Sequence, residues 1–137
     1  MISGIIEMEL LYKELVYKII GCAMEVYNTL GYNLLEAVYQ EALEYELRKV
    51  NIKYVSYKQL KINYKDIILK KYYEADLLIE NNIIVELKVM ERLTKRDQSQ
   101  IINYLGITNK KLGLLINFGN KEKLEWKRMI LEKKSRE

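Results

Sequence analysis

The stretch Glu74–Val89 constrains the fold more than any other part of the chain. It holds two runs of alternating side chains separated by Asn81-Asn82. Side chains alternate along a strand, so Ala75, Leu77 and Ile79 share one face of the first run, with Glu74, Asp76, Leu78 and Glu80 opposite. On the second run Ile83, Val85, Leu87 and Val89 share an apolar face, and Ile84, Glu86 and Lys88 form a mostly polar one. Register then decides the geometry. A two-residue turn at Asn81-Asn82 pairs Asp76 with Leu87 and sends the two apolar faces to opposite sides, which burial forbids. A three-residue turn, Glu80-Asn81-Asn82, pairs Ile79 with Ile83 and Asp76 with Glu86. Both apolar faces then agree, and Asp76, Glu86 and Lys88 come together. Asn82 can take the left-handed backbone that such turns use, and that turn or an equivalent bulge is expected.

That grouping has a chemical consequence. Two carboxylates about 4 Å apart repel by roughly 4 kcal/mol at an effective dielectric of about 20. A divalent cation relieves the repulsion, and oxygen ligands suit Mg²⁺, with Mn²⁺ as a substitute. A water on such a metal could attack a phosphodiester, with Lys88 orienting the water or stabilising charge on the phosphate. On a bare hairpin, however, an Asp, a Glu and a Lys are more often ordinary solvated residues than a site.

The absence of histidine narrows the alternatives. It removes histidine-metal nucleases and both Ser-His-Asp and Cys-His hydrolases. Cys22 is the sole cysteine, which excludes an intrachain disulfide and a cysteine-built zinc site; it reads as a small core residue. The net charge of +4 tolerates a polyanion without demanding one. No apolar run reaches the roughly 18 residues that span a bilayer, and the N-terminal pattern lacks the basic start of a signal peptide. A cytoplasmic protein without membrane contact is therefore expected.

The remaining elements follow from periodicity. Val16, Ile19, Ile20, Ala23, Val26, Tyr27 and Leu30 recur at helical spacing within Leu10–Leu30, and Gly31 supplies a stop. A second helix is expected from about Leu34 to Val50, with an apolar stripe of Leu35, Val38, Tyr39, Ala42, Leu43, Leu47 and Val50. Tyr54–Tyr64 and Ile67–Tyr73 read as strands around a Lys65-Asp66 turn, the second running on into Ala75–Ile79. Thr94 and Asp97 resemble a capping box for a helix ending near Gly106. Leu112–Phe118 is apolar on both faces, as in a buried parallel strand. Residues after Lys121 read as a weak strand or helix followed by a charged, solvated tail. The order is two helices, a three-strand meander, a helix and a strand: an α/β fold with a mixed sheet flanked by helices. Its 137 residues suit one domain spanning 1–137, with a core of about 16–130.

Four segments, in order, resemble the GxxExxY family, a group within the PD-(D/E)XK nuclease superfamily. They are Gly31–Leu43, containing Asn33-Leu34-Leu35-Glu36-Ala37-Val38-Tyr39; Glu74–Val89; Gln100-Ile101-Ile102-Asn103-Tyr104-Leu105; and Leu112–Phe118. The resemblance runs from roughly Val16 to Ile130 and implies a restriction-endonuclease-like core. It implies that Asp76 and Glu86 are direct metal ligands, with the Leu87 carbonyl completing the site and Glu36 an outer or water-mediated ligand. It implies that Lys88 is the catalytic lysine and that Gln100 contacts the attacking water or the phosphate. Tyr104 lies one turn on from Gln100 and shares its face; Tyr39 reads as packing or support. The chain departs from the family pattern at Asn33, where the family has Gly, and at Tyr27 and Asp97, where it often has His. Asparagine is the next-best residue for a left-handed backbone, so the turn at Asn33 is expected to survive.

These readings point to a Mg²⁺-dependent nuclease acting on DNA, with RNA as the second candidate substrate. The alternatives are a non-catalytic nucleic-acid-binding or assembly module, and a structural partner in a larger repair or defence complex. A chain of this size also leaves room for a homodimer.

Overall fold

The protein is described from a computed structural model that covers the backbone of residues 2–131 and the side chains of residues 12–131. The charged tail after Leu131 lies outside the described residues. Elements run α1 (Ile2–Leu30), α2 (Glu36–Lys49), β1 (Tyr54–Tyr64), β2 (Ile67–Ile79), β3 (Ile83–Lys88), α3 (Lys95–Thr108), β4 (Leu112–Asn117) and β5 (Glu125–Ile130). The five strands form one mixed sheet in sequential order, β1-β2-β3-β4-β5. All neighbours are antiparallel except β3 and β4, which the α3 crossover makes parallel. The α/β class and the element order expected from the sequence both hold, and the segment after Lys121 forms a strand.

Helices cover both faces of the sheet. On one side Val16, Ile19, Ala23 and Val26 of α1 and Tyr39, Leu43 and Leu47 of α2 pack against odd-numbered strand residues such as Leu77, Ile79, Val85 and Leu87, with Leu114 beside them. On the other, Ile101, Tyr104 and Leu105 of α3 pack against Leu78, Ile84 and Leu115. The even-numbered face of the central strands is therefore not a solvated one, as the alternation suggested. Every residue of β3 from Ile83 to Leu87 is buried, Glu86 included.

Several local expectations need correction. The second helix buries Tyr39, Gln40, Leu43 and Leu47, whereas Leu35, Val38 and Val50 are exposed. The apolar spacing was right, but α2 faces the sheet along a narrower stripe. The third helix ends near Gly106 as expected, two residues beyond it at Thr108, and Asn109 takes a left-handed cap at φ 60°. At the β2–β3 turn the left-handed residues are Glu80 (φ 51°) and Asn81 (φ 59°), not Asn82. The Asn82 amide donates to the Ile79 carbonyl at 2.9 Å, which closes a tight primed turn with one residue added before β3. Glu80 tolerates this backbone because Lys53 clamps it: its amide donates to the Lys53 carbonyl and its carboxylate accepts from the Lys53 amide. The registration that mattered survives, with Ile79 opposite Ile83 and Leu77 opposite Val85.

A larger departure lies one step further along β2. Ala75 belongs to the α3 cluster, while Leu77 and Ile79 belong to the α1/α2 cluster. The pleat is thus broken between them, at Asp76. On the partner strand Ser56 pairs with Leu77 and Lys58 with Ala75, and the residue between, Tyr57, has φ 52°. A left-handed residue inside a strand re-aims the chain as a bulge does. Beyond this bend β1 and β2 leave β3 and continue as a two-stranded ribbon, packing Leu60 and Ala75 over α3.

Candidate active site

The site forms where β2 bends away from β3. Glu86 is the penultimate polar position of β3 and is only 6% exposed. The Asp76 amide donates to Glu86 Oε2 at 2.9 Å, and the Leu87 amide donates to Asp76 Oδ2 at 2.7 Å. Each carboxylate is therefore held through one oxygen by a backbone amide across the strand gap. The bend at Asp76 frees these amides from the regular ladder, which stops at Leu77. Gln40 fixes the same spot from the helix side. Its side-chain amide donates to the Asp76 carbonyl at 2.9 Å and to Glu44 at 2.8 Å.

Charge and burial shape the acids. Burial pushes the Glu86 carboxyl up to about 8; the charge of Asp76 adds to this, and the Asp76 amide and Lys88 oppose it. Burial also raises Asp76, against the Leu87 amide and Lys88. Glu36 opens α2 and is solvent-exposed, yet crowding by protein raises its carboxyl, with Asp76 adding and Lys88 opposing. The acids thus feel one another, and Lys88 is the positive charge that all three feel. Lys88 itself reaches α3. Its Nζ donates to Gln100 Oε1 at 3.3 Å and stands 3.9 Å from Asp97. Asp97 also closes the capping box with Thr94 that starts the helix. Tyr104, one turn beyond Gln100, is buried; its hydroxyl is pushed up to about 12 by burial and then by Glu86 and Asp76.

The end of the site is braced by β4. The Phe118 amide donates to the Lys88 carbonyl at 2.8 Å. Asn117, fully buried, accepts from the Met90 amide and donates to the Met90 carbonyl. Tyr39 stacks on Phe118 with ring centres 4.4 Å apart, and its hydroxyl donates to the Gly31 carbonyl. This is the supporting role read from the sequence. Asn33 does take the left-handed backbone, at φ 69°, and its amide donates to the Phe118 carbonyl.

Asp76, Glu86, Leu87 and Lys88 are contiguous, Glu36 is within reach of their charges, and Gln100 meets the lysine rather than the carboxylates. Sequence reasoning missed Gln40 and the Lys88–Asp97 pair. Glu36, Gln40 and Glu44 recur every four residues on α2, a polar row that was the available signal for Gln40. Among the described residues, no three His, Cys, Asp or Glu side chains enclose a metal by themselves. A metal would draw on two carboxylates, a backbone carbonyl and water. That all-oxygen set, with a buried acid lacking a full counter-charge, fits a hard divalent cation.

The crystal structure of SSO0001 is similar to this fold, with a TM-score of 0.54 and 19% identity over 69% of this chain and 50% of that one. At that identity the likeness is one of fold, and the match spans half the length of that protein. No curated protein matches the chain. Among the described residues no helix is long and apolar enough to cross a membrane. A family model for the PD-(D/E)XK nuclease superfamily matches residues 13–129, and the chain belongs to that superfamily.

Proposed function

We propose that the protein is a metal-dependent nuclease that hydrolyses phosphodiester bonds in DNA, with RNA as the second candidate substrate. The observation that carries this reading is the buried Glu86 locked against Asp76 at the end of the central strand, with Lys88 beside them. In this reading Asp76, Glu86 and the Leu87 carbonyl hold Mg²⁺, or Mn²⁺ in its place, and Glu36 binds its outer water shell. The cation, when bound, acidifies water and neutralises phosphate charge. The chain's own groups do the rest. The Asp76 and Leu87 amides fix one oxygen of each carboxylate and leave the other to face the ligand. Lys88 places positive charge where the phosphate gathers negative charge. Gln100 accepts from Lys88 through its carbonyl oxygen, so its amide nitrogen is left to donate to the attacking water or a phosphate oxygen. Tyr104, with its proton held firmly, backs the acids with a neutral hydroxyl.

A second reading, a nucleic-acid-binding module without catalysis, draws on one observation: Lys88 is already engaged by Gln100 and Asp97. The test is a cleavage assay with Mg²⁺ and Mn²⁺ on single-stranded, duplex and branched DNA and on RNA, beside Asp76→Ala and Lys88→Ala. The nuclease reading expects cleavage that needs the metal and falls by at least about 100-fold in both variants. Cleavage that survives both changes, or none by the native protein, would sink it.

A further inference from the structure

The ribbon beyond the bend has a composition unlike the rest of the molecule. From Lys58 to Ala75 it carries Lys58, Lys61, Lys65, Lys70 and Lys71 against two acids, Asp66 and Glu74. Five lysines less two acids leave +3, most of the net charge of +4 on the whole chain. All five lysines are exposed. Among the described residues none of them pairs with a carboxylate, since the ion pair found is Lys88–Asp97. Tyrosines are interleaved with them: Tyr57, Tyr64, Tyr72 and Tyr73 are each between 46% and 54% exposed.

The register orders these groups on two faces. Leu60 pairs with Tyr73, and both turn toward α3, where Leu60 is buried and the Tyr73 ring meets Tyr104 at 5.3 Å. The neighbouring pairs, Lys61 with Tyr72 and Gln59 with Glu74, therefore share the face turned away from α3. Further out the register slips: Lys61 pairs with Tyr72 but Asn63 with Ile68. This bulges Leu69, Lys70 and Lys71 out of the ladder, and a bulge twists a ribbon and re-aims its side chains. At the tip the Lys65 ammonium sits 5.4 Å over the Tyr64 ring. The root of the ribbon is the acid site itself, because Tyr57 and Asp76 are the bend.

We propose that this ribbon is an arm that grips the phosphate backbone of the nucleic acid and leads it to the acids at its root. The lysines bind phosphates, and Tyr57 and Tyr72 offer flat faces on which an unpaired base stacks. The charge pattern selects a polyanion, and nothing in it reads base sequence, so the grip is expected to be sequence-tolerant. It also explains why a modest overall charge suffices: most of the excess is concentrated on one projecting element. The inference rests on the reading of the acid site as one that meets nucleic acid, but not on its being catalytic.

The experiment is fluorescence anisotropy of labelled single-stranded and duplex oligonucleotides in EDTA, from about 50 to 300 mM salt. The native protein is compared with the fourfold variant Lys61→Gln, Lys65→Gln, Lys70→Gln, Lys71→Gln. A control variant, Lys121→Gln with Lys123→Gln, removes two lysines elsewhere. The arm variant is expected to bind at least about tenfold more weakly at low salt, equally across sequences. Its plot of log affinity against log salt should be shallower by about 0.7–0.9 for each phosphate that the variant no longer neutralises, while the control matches the native protein. Circular dichroism, sedimentation velocity and the Mg²⁺-induced rise in Tm check that the variant keeps its fold, oligomeric state and acid site. Weakened binding supports the arm even if the native protein cuts nothing. Unchanged binding overturns the arm and leaves the nuclease reading standing. No binding by the native protein overturns the arm, and the nuclease reading then stands or falls on the cleavage assay with metal. A variant that changes oligomeric state while keeping its affinity overturns the arm in favour of a second copy of this chain as the ribbon's partner.

Discussion

Glu86 shows how one side chain can carry both the cost and the use of a site. Burying a carboxyl beside another acid favours its protonated form, so its folded-state pKa is raised from 4.5 to about 8. The folded protein then binds more protons than the unfolded chain between those values. The contribution of Glu86 to stability without metal is full below about pH 4.5 and is lost as pH rises toward about 8. Asp76 and Glu36 shift in the same direction and add to the slope. The Glu86 part of the loss is on the order of a few kcal/mol, and solvent screening leaves the exposed Glu36 with the least to add. Calorimetry in EDTA should show Tm falling across this window, and Glu86→Gln should flatten most of the slope; a Glu86→Gln protein with the native slope would refute the assignment. Gln40 makes a second residue-scale case. Replacing it by Leu leaves the Asp76 carbonyl without its donor, at a cost of about 1–3 kcal/mol. Urea denaturation should record that loss, and Mg²⁺ titration should show weaker binding because Asp76 is no longer held.

At the scale of elements, legibility in the sequence tracked how local the cause was. The Thr94–Asp97 capping box, the Lys65-Asp66 turn and the apolar run of β4 depend on neighbours a few residues apart, and the structure has all three. The pairing of Ile79 with Ile83 was legible because a slip would have split two apolar faces. What could not be read was the bend at Tyr57 and Asp76. Alternation continues through Ala75, Leu77 and Ile79 as if the strand were flat, and only the packing of α3 decides that Ala75 turns the other way. The same limit hid the burial of Glu86, since a polar residue on an alternating strand looks solvated until a helix lies over it. Two elements allow direct tests. Thr94→Ala removes the α3 cap and should cost about 1 kcal/mol in urea denaturation. It should also loosen the helix that presents Asp97 and Gln100 to Lys88. Gly119 sits where the end of β4 crosses the chain after β3, and a Cβ there would lie 2.2 Å from the Met90 amide nitrogen. Backbone cannot yield as a side-chain tip does, so Gly119→Ala should cost about 3 kcal/mol, or shift Met90 and with it Lys88. A Gly119→Ala protein as stable as the native one would mean that the two backbones cross less closely there.

The molecule as a whole places a buried acid, disfavoured in its charged form, in the central strand of its sheet. β3 is flanked by two strands on each side and covered by helices on both faces, yet near its end it carries Glu86, an acid whose charge burial disfavours. Such a centre is stabilised by whatever neutralises it, and a ligand that binds only the folded state adds RT ln(1 + [L]/Kd), about 2.7 kcal/mol at roughly a hundred times Kd. A cation that needs ionised carboxylates must also expel the proton that Glu86 holds at neutral pH. Mg²⁺ is therefore expected to raise Tm, more strongly at about pH 8.5 than at about pH 6. Its binding near neutral pH should release protons, so that the heat measured by titration calorimetry varies with the ionisation enthalpy of the buffer. Asp76→Asn should lose the Mg²⁺-dependent rise while keeping a cooperative transition. If Mg²⁺ and Mn²⁺ both leave Tm unchanged at every pH, the carboxylates are not a metal site. The raised acid would then mark a pair held by protonation alone, with the arm as the part of the molecule that meets nucleic acid.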